Sequence, residues 1–242
     1  MKKTIGLVFA DGMEYSPFEK FAEENRGVRS MRYGNESIEF TLEKGDREIR
    51  VIGVKCGIGK VNAASATALL ISADNADYIM NAGLSGAVSG CNREDIVLGT
   101  AYVECDYDLT AIGYKPGEKP DGQKYIYQAD EMLLRLGSMS RGLMKGRLGT
   151  GDIFLADSVK KNYYKETFGI NAFDMETGAI ASVCDKCSVP FMSIRKISDD
   201  ADDSAEGSYR EMNDRQETCL TEVLSNIISR MFDEDSVWVN SD

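Results

Sequence analysis

Residues 78–86 read YIMNAGLSG, an apolar run that breaks into glycines. A short apolar run ending in a glycine turn is the pattern of a buried strand leaving its sheet. Just upstream, KVNAASATALLISA (60–73) reads as a helix rich in small residues. Just downstream, DIVLGTAYVEC (95–105) is another strand. The same alternation extends in both directions. TIGLVFA (4–10) is a first strand, followed by a helix from about Ser16 to Glu24. SIEFTLEKGDREIRVIGVKCG (37–57) is a hairpin turning at Lys44-Gly45-Asp46. A helix begins over Asp130 to Leu136, LMKGRLGTGD (143–152) runs from strand into turn, and SVKKNYYKETF (158–168) is a polar helix. GAIASVCDKC (178–187) is a buried-type helix and VPFMSIRKIS (189–198) a strand. RQETCLTEVLSNIISRMF (215–232) is the final amphipathic helix, with Leu220, Val223, Leu224, Ile227, Ile228 and Met231 in 3- and 4-residue steps. Alternating strands and helices imply a layered α/β sheet. No internal repeat or linker divides the chain, so residues 1–232 are expected to form a single domain and 233–242 an acidic, frayed C-terminal tail.

Bulk composition narrows the function. The chain has 242 residues, 43% hydrophobic and 9% aromatic, enough for a sizeable core. Its net charge of -12 repels phosphate backbones, which disfavours nucleic acid and suits a small neutral or cationic ligand. There is no histidine. Ser-His-Asp and Cys-His catalysis and histidine metal ligands are excluded, leaving acid–base work to Asp, Glu, Lys, Tyr or Cys. Cys184 and Cys187 form a C-x-x-C inside a helical pattern, a poor zinc signal with no histidine and no second pair. The six cysteines are expected to be ordinary buried thiols. The first apolar stretch, Ile5 to Ala10, is cut off by Asp11 and is too short for a signal peptide; no stretch has the length of a membrane span. A cytoplasmic protein without cofactor or metal is expected.

Ligands of α/β sheets gather at the carboxyl ends of the strands. CGIGKV (56–61) there invites a phosphate-loop reading but fails the spacing of both common glycine fingerprints, leaving a tight strand-to-helix turn. DDADDSAEGSYRE, from Asp199 on, imitates a calcium loop through Asp200, Asp202, Ser204 and Glu211, yet Ala205 stands where the sharp turn needs glycine. A solvated acidic loop is the simpler expectation. FDMETGAIA (173–181) carries two acids into a buried-type helix. Burying ionised carboxylates without partners is costly. Either this is an acidic first helical turn, or the Glu faces a ligand.

Taken together and in order, GIGKVNAA (57–64), NAGLSGA (81–87), DLTAIGY (108–114), GTGDIF (149–154), DMETGAIA (174–181) and RKISDDAD (195–202) resemble the methylthioadenosine/S-adenosylhomocysteine nucleosidases of the nucleoside phosphorylase superfamily. The resemblance spans residues 4 to about 210. It implies a three-layer α/β/α fold around a mixed, barrel-like central sheet, a homodimer, and cleavage of the bond between adenine and ribose. By the same resemblance Glu176 binds the ribose hydroxyls, accepting two hydrogen bonds from a vicinal diol, and Met175 packs against base and sugar. Asp174 better suits the helix N-terminus. Asp199 protonates N7 of adenine, which requires a pKa raised by burial and neighbouring acids. Glu14 activates the water, Arg195 helps place it, and Ser198 orients a carboxylate. Phe154 stacks on adenine, backbone groups at Phe154 and Leu155 read its edge, and Ile58 and Tyr209 line the pocket. For Phe154, Ile58 and Tyr209 plain core packing is the alternative. Leu109, Ile112, Tyr114 and Pro120 match a segment that reaches into the neighbouring subunit's pocket, the alternative being a surface loop.

Two departures stand out. Leu84 replaces the small hydroxyl residue usual near the ribose. Asp11 replaces an apolar residue at the 5′ end, where a carboxylate suits a polar or cationic 5′ group unless it turns to solvent. Two runner-up functions remain: a phosphate-dependent phosphorylase, and a nucleoside-binding protein without catalysis. A phosphate beside Glu14 faces repulsion of about 4 kcal/mol at about 4 Å and an effective dielectric of about 20. Arg26, Arg29 and Arg32 would have to offset it as a cradle, against the simpler reading of a solvated basic turn.

Overall fold

A computed structural model describes residues 1–213 and 219–238. In chain order the elements are β1 (Lys2–Phe9), α1 (Gly12–Glu24), β2 (Val28–Arg32), β3 (Asn35–Lys44), β4 (Arg47–Lys55), α2 (Lys60–Ser72), β5 (Tyr78–Ala87) and β6 (Ile96–Glu104). There follow β7 (Ile126–Gln128), α3 (Glu131–Ser138), β8 (Leu143–Thr150), α4 (Ser158–Phe168), β9 (Ala172–Asp174), α5 (Thr177–Cys187) and β10 (Phe191–Asp199). Helices α6 (Ala205–Asn213), α7 (Cys219–Met231) and α8 (Asp235–Trp238) complete the chain.

All the strands join one mixed sheet. β10 pairs in parallel with β5 and antiparallel with β6, while β8 and β9 bridge β6 back to β5. Those five strands therefore close on themselves as a barrel. β1 continues the sheet outward from β5, and β4, β3 and β2 follow it. Thr4 through Phe9 are all buried, as expected of a strand covered on both faces. On one face α1, α3, α7 and α8 pack Phe18, Leu133, Leu136, Leu224, Ile228 and Trp238 into a single core. On the other, Ala63, Ala66 and Leu70 of α2 meet Ile180, Ala181 and Cys184 of α5. Their small side chains let the two helices lie close. The result is the expected three-layer arrangement around a barrel-like sheet.

Several boundaries differ from the sequence reading. Helix α1 starts at Gly12 rather than near Ser16, because the Asp11 side chain accepts hydrogen bonds from the Met13 and Glu14 amides and caps it. Asp130 likewise caps α3 from outside, so that helix runs Glu131–Ser138. Strands β2, β7 and β9 were not anticipated. The basic residues after α1 do not form a cradle: Arg26 is exposed in the turn, as the simpler reading has it, while Arg29 and Arg32 lie on β2 and are paired. Arg29 on β2 pairs with Glu19 and Glu23, and Arg32 pairs with Glu39 and, at 3.7 Å, with Asp74. The expected tail is docked as far as Trp238: Val237 and Trp238 are buried, the Trp238 indole donates to the Met231 carbonyl, and Arg47 pairs with Asp235. Residues 215–218 of the expected final helix lie outside the described residues, as do 239–242. Among the described residues no disulfide joins the cysteines, but only Cys56, Cys105 and Cys184 are buried; Cys91 and Cys219 are half-buried and Cys187 is exposed, so that expectation needs correcting. Asp202 accepts from the Ser204 amide and hydroxyl, and Glu211 pairs with Arg93 of the segment between β5 and β6, so these candidate calcium ligands are engaged by protein groups. Among the described residues, no helix is long and apolar enough to cross a membrane.

Candidate active site

The carboxyl ends of β1, β4, β5, β8, β9 and β10 converge on a cavity of about 320 Å³. It is lined by Asp11, Glu14, Ile58, Leu84, Phe154, Leu155, Met175, Glu176, Ser198, Asp199 and Tyr209, together with Ala10, Ser85, Gly86, Ile153, Phe173 and Asp174. Arg195 sits directly behind it and is fully buried. Ile58 and Phe154 are 51% and 46% exposed at the cavity, so neither is ordinary core packing. The Phe154 and Tyr209 rings meet edge to face at 5.4 Å. Leu109, Ile112, Tyr114 and Pro120 do not line this chain's own cavity. They belong to the loop between β6 and β7, where Ile112 is 70% exposed.

The glycines of β5 make room for the acids. A Cβ on Gly83 would lie 2.5 Å from Arg195 Nη1 and 2.7 Å from Glu14 Cδ, and closer still to Glu14 Oε1. A Cβ on Gly86 would lie 2.7 Å from Asp199 Oδ1. Real side chains do not approach this closely, so each glycine holds a carboxyl group against bare backbone. Glu14 Oε1 accepts from the Leu84 amide at 2.8 Å and Oε2 from the Ala10 amide at 2.9 Å. Both oxygens are thus aimed by main chain. Burial pushes Glu14 up to about 8; Arg195, 4.0 Å away, opposes this, while the charges of Glu176 and Asp11 add to it.

Arg195 balances a cluster of acids. Its Nη2 donates to Asn81 Oδ1 at 2.6 Å and to Thr177 Oγ1 at 2.8 Å, and its Nη1 to the Leu84 carbonyl at 3.2 Å. Asp174 Oδ2 lies 3.4 Å from Nε and Glu176 Oε2 3.5 Å from Nη2. Glu176 Oε1 accepts from the Gly59 amide at 3.0 Å. That bond also settles CGIGKV: it is a tight turn, with Gly57 and Gly59 at φ of 91° and 100°, and the Gly59 amide is committed to a carboxylate instead of a phosphate. Burial raises the Glu176 pKa, opposed by Arg195. The acids of FDMETGAIA divide the labour. Asp174 Oδ1 accepts from the Glu176 and Thr177 amides and from Thr150 Oγ1, holding the start of α5, while Glu176 faces the cavity without capping the helix.

Asp199 ends β10 and is 3% exposed. Its Oδ2 accepts from Ser198 Oγ at 2.7 Å and its Oδ1 from the Ala201 amide at 2.8 Å. Burial raises its pKa; the two hydrogen bonds oppose the shift, and the charges of Asp200 and Asp202 add to it. Ser198 thus holds a carboxyl group whose pKa burial raises. The cavity therefore gathers three buried carboxyl groups with raised pKa values: Asp199 beside a serine hydroxyl, Glu14 beside a guanidinium, and Glu176 with acceptor capacity facing the cavity. Among the described residues, no group of three or more His, Cys, Asp or Glu is arranged to hold a metal ion.

Sequence reasoning overlooked Asn81, Thr177 and Ser193. Asn81 Oδ1 accepts from Arg195, Ser193 and Thr177, and its amide donates to the Val8 carbonyl. The signal was visible: an Asn inside the apolar run YIMNAG must find buried partners.

The family model describing the Phosphorylase superfamily matches residues 4–231. A 5′-methylthioadenosine/S-adenosylhomocysteine nucleosidase of Geobacillus sp. (strain WCH70) is 35% identical over 189 residues, 75% of this chain and 81% of the relative. The nucleosidase of the same name from Streptococcus pneumoniae, solved with a transition-state inhibitor, superimposes with a TM-score of 0.83 at 26% identity, covering 93% of this chain and 97% of that one. The Helicobacter pylori counterpart, solved with butyl-thio-DADMe-Immucillin-A, shares the fold with a TM-score of 0.87 at 24% identity, covering 95% and 99%. The chain accordingly belongs to the phosphorylase superfamily and, within it, to the family of 5′-methylthioadenosine/S-adenosylhomocysteine nucleosidases.

Proposed function

We propose that the protein hydrolyses the bond between adenine and ribose in adenine nucleosides of the methylthioadenosine/S-adenosylhomocysteine type, releasing adenine and the ribose moiety. The observation that carries this reading is the pair of buried, pKa-raised acids, Glu14 and Asp199, on one cavity, with Arg195 beside Glu14. Adenine lies against Phe154, with N7 at Asp199. Asp199 gives its proton to N7 as the bond to the anomeric carbon breaks and its electron pair passes to the base. Glu14 takes a proton from water as the water oxygen bonds to that carbon. The division of labour is that of inverting glycosidases, one carboxyl as acid and one as base. Glu176 holds the 2′- and 3′-hydroxyls through its Oε2, which retains acceptor capacity beyond its 3.5 Å contact with Arg195.

Water is favoured over phosphate as the nucleophile. Among the described residues the cation nearest Glu14 is Arg195, already engaged by acids, and the arginines of β2 are paired away from the cavity. The active unit is a homodimer, in which Leu109, Ile112, Tyr114 and Pro120 of one copy reach the pocket of the other; the exposed Ile112 supports this. The test is incubation with a panel of purine nucleosides with and without phosphate, measuring free base. Adenine release independent of phosphate is expected. Release that requires phosphate refutes hydrolysis, and binding without any release refutes catalysis.

A further inference from the structure

Helix α2 begins beside the cavity without a cap of its own. Its N-cap residue is Gly59, which has no side chain to bond the first-turn amides. The acceptor comes from another element. Asp152, in the loop after β8, takes the Lys60 amide on its Oδ1 at 2.8 Å. Glycine leaves it room: a Cβ at residue 59 would lie 3.1 Å from that oxygen, at a φ of 100°. Asp152 is itself held. Its amide donates to Asp106 Oδ2 at 2.9 Å, and Asp106 Oδ1 lies 2.7 Å from Lys60 Nζ. Lys60 therefore bonds Asp152 through its main chain and Asp106 through its side chain. The three residues close a ring between the ends of β6 and β8 and the start of α2. None of them lines the cavity.

What the ring anchors is the Gly59 amide, which donates to Glu176 Oε1 at 3.0 Å. Glu176 stands between two donors. Arg195 Nη2 is 3.5 Å from Oε2, well beyond the usual about 2.7–2.9 Å of a charged N–H···O bond. A buried carboxylate and a buried guanidinium attract strongly and gain by closing such a gap. The Gly59 amide holds the carboxylate back. While it does so, Oε2 keeps acceptor capacity for the ribose hydroxyls. We infer that Asp106, Lys60 and Asp152 are positioning residues: by anchoring the Gly59 amide they keep Glu176 off Arg195, and so set how strongly the site distinguishes ribose from 2′-deoxyribose. The inference rests on the nucleosidase reading and deepens it at the sugar.

The test measures kcat/KM by adenine release from methylthioadenosine and its 2′-deoxy analogue, in wild type, Asp152→Ala, Asp106→Ala and Asp152→Asn, with thermal unfolding to show that each variant folds. The ring can bias Glu176 by no more than its own weight, that of a helix cap. Both alanine variants are therefore expected to lower the ribo-to-deoxy ratio about two- to thirtyfold. Asparagine accepts a first-turn amide as well as aspartate does, so Asp152→Asn is expected to restore the ratio of the wild type. A loosened loop also moves Phe154, two residues beyond Asp152. That slows both sugars alike and cancels in the ratio. A ratio unmoved in both alanine variants, or one that falls as far in Asp152→Asn as in Asp152→Ala, overturns the role of the ring while leaving the nucleosidase intact. No adenine from either compound with the wild type refutes the nucleosidase reading and this role with it.

Discussion

A single methyl group on β5 is expected to disable the enzyme. In Gly83→Ala the added Cβ would sit 2.5 Å from Arg195 Nη1 and 2.7 Å from Glu14 Cδ. Neither neighbour can retreat freely. Arg195 is fully buried and tied to Asn81 and Thr177, and Glu14 is fixed by the Leu84 and Ala10 amides. Overpacking of this kind costs about 1–3 kcal/mol. At about 2–4 °C per kcal/mol for a chain of this size, the melting temperature should drop by roughly 2–12 °C. The functional loss should be larger. To clear the methyl, the Glu14 carboxylate must shift by about 1 Å, and a misplacement of that order costs about 10²-fold in rate. Gly207→Ala is the matched control. A Cβ there meets nothing within 4 Å, and the residue lies inside α6. Alanine in a helix interior gains about 0.5–1 kcal/mol over glycine. The assay pairs thermal unfolding with adenine release. Near-normal turnover in Gly83→Ala, or two variants that respond alike, would show that the bare backbone at Gly83 does not position Glu14.

Asp199→Asn should keep the fold, because its Oδ1 can still accept from the Ala201 amide and Ser198 can turn its proton toward the Ser85 carbonyl, 3.3 Å away. Adenine release should nevertheless fall by about 10²–10⁴-fold, the usual worth of a general acid; unchanged turnover with intact folding rejects the assignment. Glu176→Gln should weaken ribonucleosides far more than their 2′-deoxy analogues, and equal losses would mean Glu176 does not hold the diol. The same variant should also move the pH profile of kcat/KM. In the proposed mechanism Glu14 must be ionised to take a proton from water, and burial raises its pKa to about 8, so its ionisation sets the rising acid limb of the profile, while loss of the Asp199 proton sets the falling limb. The Glu176 charge contributes to that elevation, so removing it should shift the acid limb to lower pH; a limb that stays put or moves up contradicts this.

The elements with a clean period were legible in the sequence. The hairpin of β3 and β4, the polar helix α4 and the apolar stripe of α7 each followed from local pattern. Strands β2 and β9 did not. β2 is an exposed edge whose Val28 and Met31 face solvent, and β9 is three residues long, a strand only because β5 and β8 flank it. The charge of residues 233–238 suggests solvent, whereas Val237 and Trp238 dock in the core. In the site, the acids were legible through ordered motifs. The frame that aims them was not: Asn81, Thr177 and Ser193 act by meeting around Arg195 across three separate elements. Asp11 was the instructive case. Its type read as an anomaly, and only the structure divides its two oxygens between holding a helix and facing Tyr209.

Glu14 presses on Gly83 and Asp199 on Gly86, so both acids are measured against one strand, three residues and about 10 Å apart. A hydrogen-bonded ladder fixes that interval and does not stretch. In the proposed mechanism these acids are the water activator and the proton donor, and changes in loops away from the start of α1 and the end of β10 leave their reference points on β5 unaltered. Diversification within such a chain is therefore channelled away from the bond being cut and toward the rim, where the turn at Ile58 and the helix carrying Tyr209 hold neither acid. The chemistry is inherited as a rigid gauge, and substrate choice is written on replaceable parts around it.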